Sequence, residues 1–474
     1  MSHERQVYLL DPTQLSPETI AVTFAKTSRS PQSFREIAAE LTDEKSAQFH
    51  EKWVVGYGHA SVAEHAVLHI AVENVSRLAV ETLESSRLAS YTEKSSRYQQ
   101  WTEEDYYLPA ELHGHPLEPL YTSTIQSLFN SYREALPAVR EVIERENPCK
   151  DGETDAAWER RIRSKYVDVC RFYLPAAALA NVGMTINARE LEHAISKMLS
   201  HPLEEVKSLG ADLKRVGEEM TPTLIKYANP IPYLENAQHS LSERASEWLP
   251  VADEPSDWCS LVDYDPSAED RVLAACLYRY GSIGYAKAIE KVRQLAPQER
   301  EDLVREILGG LDNFVIPLRE LEYASFTFDV ILDQGGYFEL KRHRMMTQTP
   351  QRLTTSLGYA VPRRIVAAGL EEHFHSAMSL ADQTYRQLAA WNPEVASYVV
   401  PNAFNRRVLL QANLRSLLHL LSLRSAPNAH FSLRRLTQRM AEELRAVLPL
   451  FSVYLQTNPT ETWQQVEAEH FARV

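Results

Sequence analysis

The chain has 474 residues, more than one compact core usually organises, which predicts two to three domains. Its 50 Lys and Arg against 64 Asp and Glu give a net charge of −14. That balance argues against a general nucleic-acid grip but leaves room for a small anion held by a few pocket arginines. With 44% hydrophobic and 24% charged residues the composition is that of a folded, soluble chain. No apolar run approaches the ~18–20 residues of a membrane span. The opening MSHERQVYLL lacks the basic-then-apolar pattern of a secretory leader, so the expected compartment is the cytoplasm. Cys149, Cys170, Cys259 and Cys276 share no metal-type spacing and are too few for a disulfide framework, and no metal is expected.

Taken in chain order, apolar periodicity predicts amphipathic helices over 32–52, 118–146, 187–200, 204–220, 285–310, 370–391, 408–424 and 430–448. The alternating segments VLHIAV (67–72) and FTFDVIL (326–332) predict strands. Helix dominates, with a few strands, so the fold class is α+β. A long internal repeat organises these elements. AVTFAKTSRS (21–30) resembles AACLYRYGS (274–282), and EHAVLHIAV (64–72) lines up with EYASFTFDV (322–330). SSRLASYTEKSSRY (85–98) then pairs with RHRMMTQTPQRLTT (342–355), RFYLP (171–175) with SYVVP (397–401), and NARELEH (187–193) with NLRSLLH (413–419). The order is kept, and the first copy carries an insertion of roughly thirty residues between 98 and 171. The expected organisation is two homologous, helix-rich domains, 1–245 and 266–474, each with a small antiparallel sheet, joined by a turn-rich, charged linker at 246–265.

Several residues carry chemistry. Arg342-His343-Arg344 follows FTFDVILDQGGYFELK. Two forked, permanently charged donors flanking an imidazole make a grip for a phosphate or pyrophosphate. Taken alone, such a triplet is more often solvated surface. Asn413 and Arg424 lie eleven residues apart in NLRSLLHLLSLR, which at ~100° per residue is about three turns, hence roughly one helix face. An arginine on the stripe of Leu417 and Leu420 calls for an anionic partner, unless it is a helix-end arginine that snorkels to water. In the first copy His59, Ser61, Glu64 and His65 precede a strand, and Ser90, Glu93, Ser95 and Arg97 recur every two or three residues. Hydroxyls, a carboxylate and an arginine at that spacing suit a nucleotide; an ordinary polar loop has the same composition.

The run GHASVAEHAVLHIAVENVSRLAVETLESSRLASYTEKSSRY (58–98) resembles the flavin-dependent thymidylate synthase (ThyX) family. That family has a histidine–serine–Glu-His element, a strand, and the signature R-H-R-x-x-S-x-N-E-x-S-x-R. Later elements agree: an arginine before L-P, then N-x-R-x-L-x-H/N, then L-R about eleven residues after the asparagine. Neither copy has the full set. In the first, Ser85, Ser86 and Arg87 stand at R-H-R and Met198 at the late arginine, while Ser90, Glu93, Ser95, Arg97 and Arg171 fit. In the second, Arg342, His343, Arg344, Asn413, Arg415 and Arg424 fit. There Pro350, Arg352, Thr354 and Ser397 stand for Glu93, Ser95, Arg97 and Arg171, and Pro317 and Arg319 replace His59 and Ser61.

The losses are complementary. In the family each active site is built by neighbouring subunits of a homotetramer. The resemblance therefore implies a composite site between the two copies, in a homodimer that imitates the tetramer with two live and two dead sites. It implies FAD-dependent reductive methylation of dUMP to dTMP, with methylenetetrahydrofolate and NADPH as co-substrates and no cysteine nucleophile. Arg424 would be catalytic, at the pyrimidine edge. Glu339, Arg342, Glu93, Ser95, Arg97, Arg171 and Arg424 would bind the substrate. His59, Ser61, Arg342, His343, Arg344, Glu93, Asn413, Arg415 and His419 would face the cofactor. Glu339 stands where the family has a glutamine contacting the nucleotide. A carboxylate there reverses the hydrogen-bond code and repels an anion unless it is protonated or paired. Thr347, Thr92 and HFSL (430–433) also depart from the pattern. These departures leave two alternatives: C5-methylation of another pyrimidine nucleotide, or a non-catalytic flavin and nucleotide binder.

Overall fold

Period-two alternation makes VLHIAV a strand: Leu68, Ile70 and Val72 turn inward and are buried, while Val67, His69 and Ala71 are exposed. The computed structural model describes residues 5–95, 99–249, 257–312 and 315–474. Its strands are β1 (Val67–Ser76), β2 (Ala89–Glu93), β3 (Leu179–Asn187), β4 (Cys259–Tyr264), β5 (Ser325–Asp333), β6 (Thr347–Pro350), β7 (Val361–Pro362), β8 (Asn405–Asn413) and β9 (Phe471–Arg473). They form antiparallel sheets of order β1-β3-β2, β4-β5-β8-β6 and β7-β9. With helices in the majority, the class is α+β as expected. No helix among the described residues is long and apolar enough to cross a membrane.

The chain divides into two compact units that interleave along the sequence. The first takes in the described residues of Met1–Lys94, Asp105–Glu118 and Ala178–Ala252, and holds the β1-β3-β2 sheet. The second takes in those of Ser95–Glu104, Pro119–Ala177 and Asp253–Val474. Its core packs Phe326, Phe328 and Val330 of β5 and Val408 and Leu410 of β8 with Leu417, Leu420 and Leu421 of the Leu414–Arg424 helix. First-copy chain thus sits inside the second unit. The Thr124 and Thr384 hydroxyls meet at 2.8 Å, and RFYLP and SYVVP pair through Ala176 N to Val400 O (3.0 Å) and Asn402 N to Leu174 O (2.9 Å).

The two halves agree in strand register and in a helix cap. Val67 faces Asn187 across β1–β3, and Ser325 faces Asn413 across β5–β8. Asn187 and Asn413 each cap the following helix, accepting from Glu190 N and Ser416 N at 2.9 Å. The helix Asp155–Cys170 precedes RFYLP, and the shorter helix Pro393–Ala396 precedes SYVVP.

Some expectations need correction. The 408–424 stretch is a helix only from Leu414; Val408–Asn413 belongs to β8, because its alternate residues Val408, Leu410 and Ala412 are buried between two partner strands. The 285–310 helix breaks into Tyr285–Gln294 and Pro297–Leu308, since Pro297 has no N–H to continue the ladder. The 32–52 helix breaks at Leu41, and Thr42 caps a new one, Asp43–His50. Of the 246–265 stretch read as a linker, 250–256 lie outside the described residues and Cys259–Tyr264 forms β4 against β5.

Replacing Asn187 by alanine removes a cap and strands the Glu190 amide. Urea denaturation should show a loss of about 1 kcal/mol, and an unchanged midpoint would refute the capping role.

Candidate active site

The centre of the candidate site is a carboxylate on a short buried helix. Asp333 ends β5 and caps the helix Gln334–Leu340, accepting from Gly336 N at 2.7 Å. Burial raises the Asp333 carboxyl, opposed by the nearby Ser432 hydroxyl and by the Gly336 N–H it accepts from. The two glycines let the helix start close to its neighbours: a Cβ on Gly336 would lie 3.0 Å from Cβ of Ser432, and one on Gly335 3.5 Å from that of Asn402. All seven residues of this helix are buried, Glu339 among them.

Glu339 Oε1 is 3.3 Å from Nη2 of Arg171, and its Oε2 is 3.3 Å from Nη1 of Arg424. The side chains of Glu339 and Arg171 are 8% and 3% exposed. Two arginines from different copies therefore share one nearly dry carboxylate. Arg171 follows the Asp155–Cys170 helix; Asp168 on that helix lies 3.7 Å from its Nε, and Asn402 Nδ2 holds its carbonyl at 2.9 Å. Arg424 ends its helix. Its Nη2 donates to the Glu339 carbonyl at 3.3 Å, and its Nε donates to His343 Nε2 at 2.8 Å. The last contact needs an unprotonated Nε2, which puts the imidazole proton on Nδ1. Burial, then Arg424, then His419, hold the His343 pKa down at about 3. The His343 and His419 rings lie 5.7 Å apart.

The remaining predicted residues are placed as follows. In the second unit Arg342 is exposed, Arg344 and Ser95 are half-buried, and His419 borders a cavity of about 110 Å³ beside Leu311 and Pro317. The Asn413 side-chain oxygen caps the following helix, accepting from Ser416 N at 2.9 Å. Arg415 is engaged by Glu322 at 2.7 Å and by the Pro317 carbonyl at 3.0 Å. Arg352, the counterpart of Ser95, pairs with Glu394 at 2.6 Å. In the first unit Glu93 faces Arg77 at 3.3 Å, with both side chains buried. His59 and Ser61 line a cavity of about 650 Å³ with Phe24, Arg29, Phe49 and Trp53, where the Arg29 guanidinium lies 4.2 Å from the Trp53 ring centroid. Arg97 lies outside the described residues.

Asp168, Asn402 and Arg77 escaped sequence reading. Asp168 was recoverable as an acid one helical turn before Arg171, and Arg77 as the first residue after the Ser76 cap. Asn402 carries no local signal, because its partner Arg171 is supplied from the other copy.

The family model of thymidylate synthase complementing protein (Thy1) matches residues 9–223 and 260–450. A UPF0159 protein of Chlamydia muridarum is 33% identical over 434 residues, covering 88% of this chain and 82% of its own. A flavin-dependent thymidylate synthase of Geobacter sulfurreducens is 28% identical over 202 residues, 40% of this chain and 83% of its own. The crystal structure of ThyX from Helicobacter pylori complexed with FAD and dUMP aligns at 20% identity and a TM-score of 0.32, over 42% of this chain and 100% of that one. With the family matched in both halves, this chain belongs to the thymidylate synthase complementing protein family.

Proposed function

We propose that this protein is a flavin-dependent thymidylate synthase-like enzyme that converts dUMP to dTMP, using FAD, methylenetetrahydrofolate and NADPH. The observation that carries the reading is the convergence of Arg171 from the first copy and Arg424 from the second on one buried carboxylate within the second unit. A substrate site needs such preorganised positive charge, and here neither copy supplies it alone. The names of relatives such as the Geobacter sulfurreducens protein support the reaction class. The proposal includes two homologous copies, 1–245 and 266–474, on either side of the 246–265 stretch, a cytoplasmic location and a homodimer.

Taken unit by unit, the groups suit parts of FAD: in the second, exposed Arg342 and half-buried Arg344 suit a pyrophosphate; in the first, the 650 Å³ cavity lined by Trp53, His59 and Ser61 has the volume and aromatic walls for a planar ring. When bound, FAD would supply the hydride chemistry. The chain's own residues do the rest. Arg342 and Arg171, with Ser95 and Arg97, bind phosphate. Arg424, oriented by neutral His343, stabilises negative charge developing on the pyrimidine. Glu93 and the residues at His59, Ser61, Asn413, Arg415 and His419 belong to the same proposal as cofactor contacts, with Asn413 and Arg415 contributing only what their cap and their Glu322 pair leave over. The thiols of Cys170 and Cys259 are buried and pushed far up, and that of Cys276 to about 11, which suits chemistry without a cysteine nucleophile.

The Glu339 bridge favours a second reading, a flavin and nucleotide binder without turnover, because the carboxylate neutralises the arginine that would act on the ring. Purified protein that is yellow and makes dTMP from dUMP with both co-substrates supports the first reading; nucleotide binding by calorimetry with no product supports the second. Arg424→Ala should lower turnover by roughly a hundredfold or more while the flavin absorbance stays. Full activity in that variant would remove Arg424 from the mechanism.

His343 adds a pH signature. Its folded pKa of about 3 lies below the ordinary 6.5, so the unfolded chain binds a proton between those values that the folded chain refuses. Stability is full above about 6.5 and falls as the pH drops through that window. His343→Gln should reduce the slope by up to about 1.4 kcal/mol per pH unit, measured by urea denaturation at a series of pH values. An unaltered slope would show that His343 is protonated in the folded protein.

A further inference from the structure

We infer that Glu339 is a built-in anion that occupies the place of a ligand's negative charge between Arg171 and Arg424, and that a ligand binds by displacing it: free phosphate on both arginines, or a nucleotide with its phosphate on Arg171 and its ring on Arg424. This rests on the proposed function only in taking these arginines as ligand-binding; the displacement itself concerns any compact oxyanion.

The two contacts of the bridge are long: each arginine lies 3.3 Å from a Glu339 carboxylate oxygen, whereas charge-assisted pairs of this kind close to about 2.7–2.9 Å. One carboxylate spanning two cations compromises with both. Free phosphate carries nearly twice the charge and three acceptor oxygens, so it can close both contacts at once.

Neither arginine depends on the carboxylate alone. If the carboxylate swings away, Arg424 keeps its hydrogen bonds to the Glu339 carbonyl and to His343, because both acceptors lie outside the moving group. Arg171 keeps Asp168 nearby and its carbonyl stays tied to Asn402. Both guanidiniums thus remain aimed at the same point when their shared counter-ion leaves. The ligand's charge then replaces that of Glu339, and the nearly dry site never holds two uncompensated cations. A glutamine at this position offers the same reach with no charge to displace, so the residue type sets how strongly the site demands an anion.

The test measures binding of inorganic phosphate and of dUMP to the full-length protein by calorimetry at low salt, for wild type, Glu339→Gln, and Glu339→Gln combined with Arg424→Ala. Glu339→Gln should bind phosphate at least tenfold more tightly than wild type, and the double variant should lose that gain. Its melting temperature without anions should fall and recover on adding phosphate more than that of wild type. Equal or weaker phosphate binding by Glu339→Gln overturns the proposal, as does a gain that survives Arg424→Ala. Tighter phosphate binding without dUMP binding or turnover upholds this inference and counts against the thymidylate reading. Should Glu339→Gln not fold, Glu339→Asp keeps the charge but is one methylene too short to reach both arginines; it should bind phosphate severalfold more tightly than wild type, and unchanged affinity would overturn the idea.

Discussion

A buried charge must be compensated where it stands, and in the second unit that requirement falls on the Arg171–Glu339–Arg424 bridge. Breaking such a buried pair by removing one partner costs about 3–5 kcal/mol, because the other charge is left behind. The neighbouring structure serves this arrangement. Gly335 and Gly336 let the Gln334–Leu340 helix approach Asn402 and Ser432, and Asp333 caps it. Arg406 braces its first turn, donating to Gln334 Oε1 at 3.3 Å with its guanidinium 4.9 Å from the Tyr337 ring centroid. His343, in the turn after the helix, stays uncharged and can accept from Arg424 because it is buried beside a cation.

The two copies keep the same scaffold and differ in what they hang on it. Strand registers, the Asn187 and Asn413 caps, and the pairing of the third strand with the first two recur. At equivalent places in the sheet, opposite Val182 and Val408, stand Glu93 and Pro350. The first is a carboxylate paired with Arg77; the second has neither charge nor N–H, and is tolerated because β6 is an edge strand. Backbone hydrogen bonding constrains the common features in both copies. Polar side chains are under no such constraint, and Arg171 and Arg424, from different halves of the sequence, meet on Glu339 instead.

The sequence alone determined a good deal. Alternation and helical periodicity located the strands β1 and β5 and the helices at 118–146, 204–220 and 430–448, because one buried face imposes a period of 2 or 3.6 on the chain itself. The ordered motifs located Arg171, Glu339, His343 and Arg424, and their uneven survival in the two copies pointed to a shared site. Where the same apolar residues fit either period, as at Val408–Asn413, composition could not choose, and sheet neighbours decided in favour of strand.

Tertiary structure alone decided what those charged groups do. Whether Glu339 is a repelling or a paired carboxylate depends on residues far from it along the chain, and the packing of RFYLP against SYVVP and Asn402 brings Arg171 to it. The same holds for Arg415, which Glu322 engages, and for Glu93, which Arg77 engages. Local sequence encodes backbone preference and burial, but the partner of a buried charge is a long-range fact, settled when distant segments pack and water leaves.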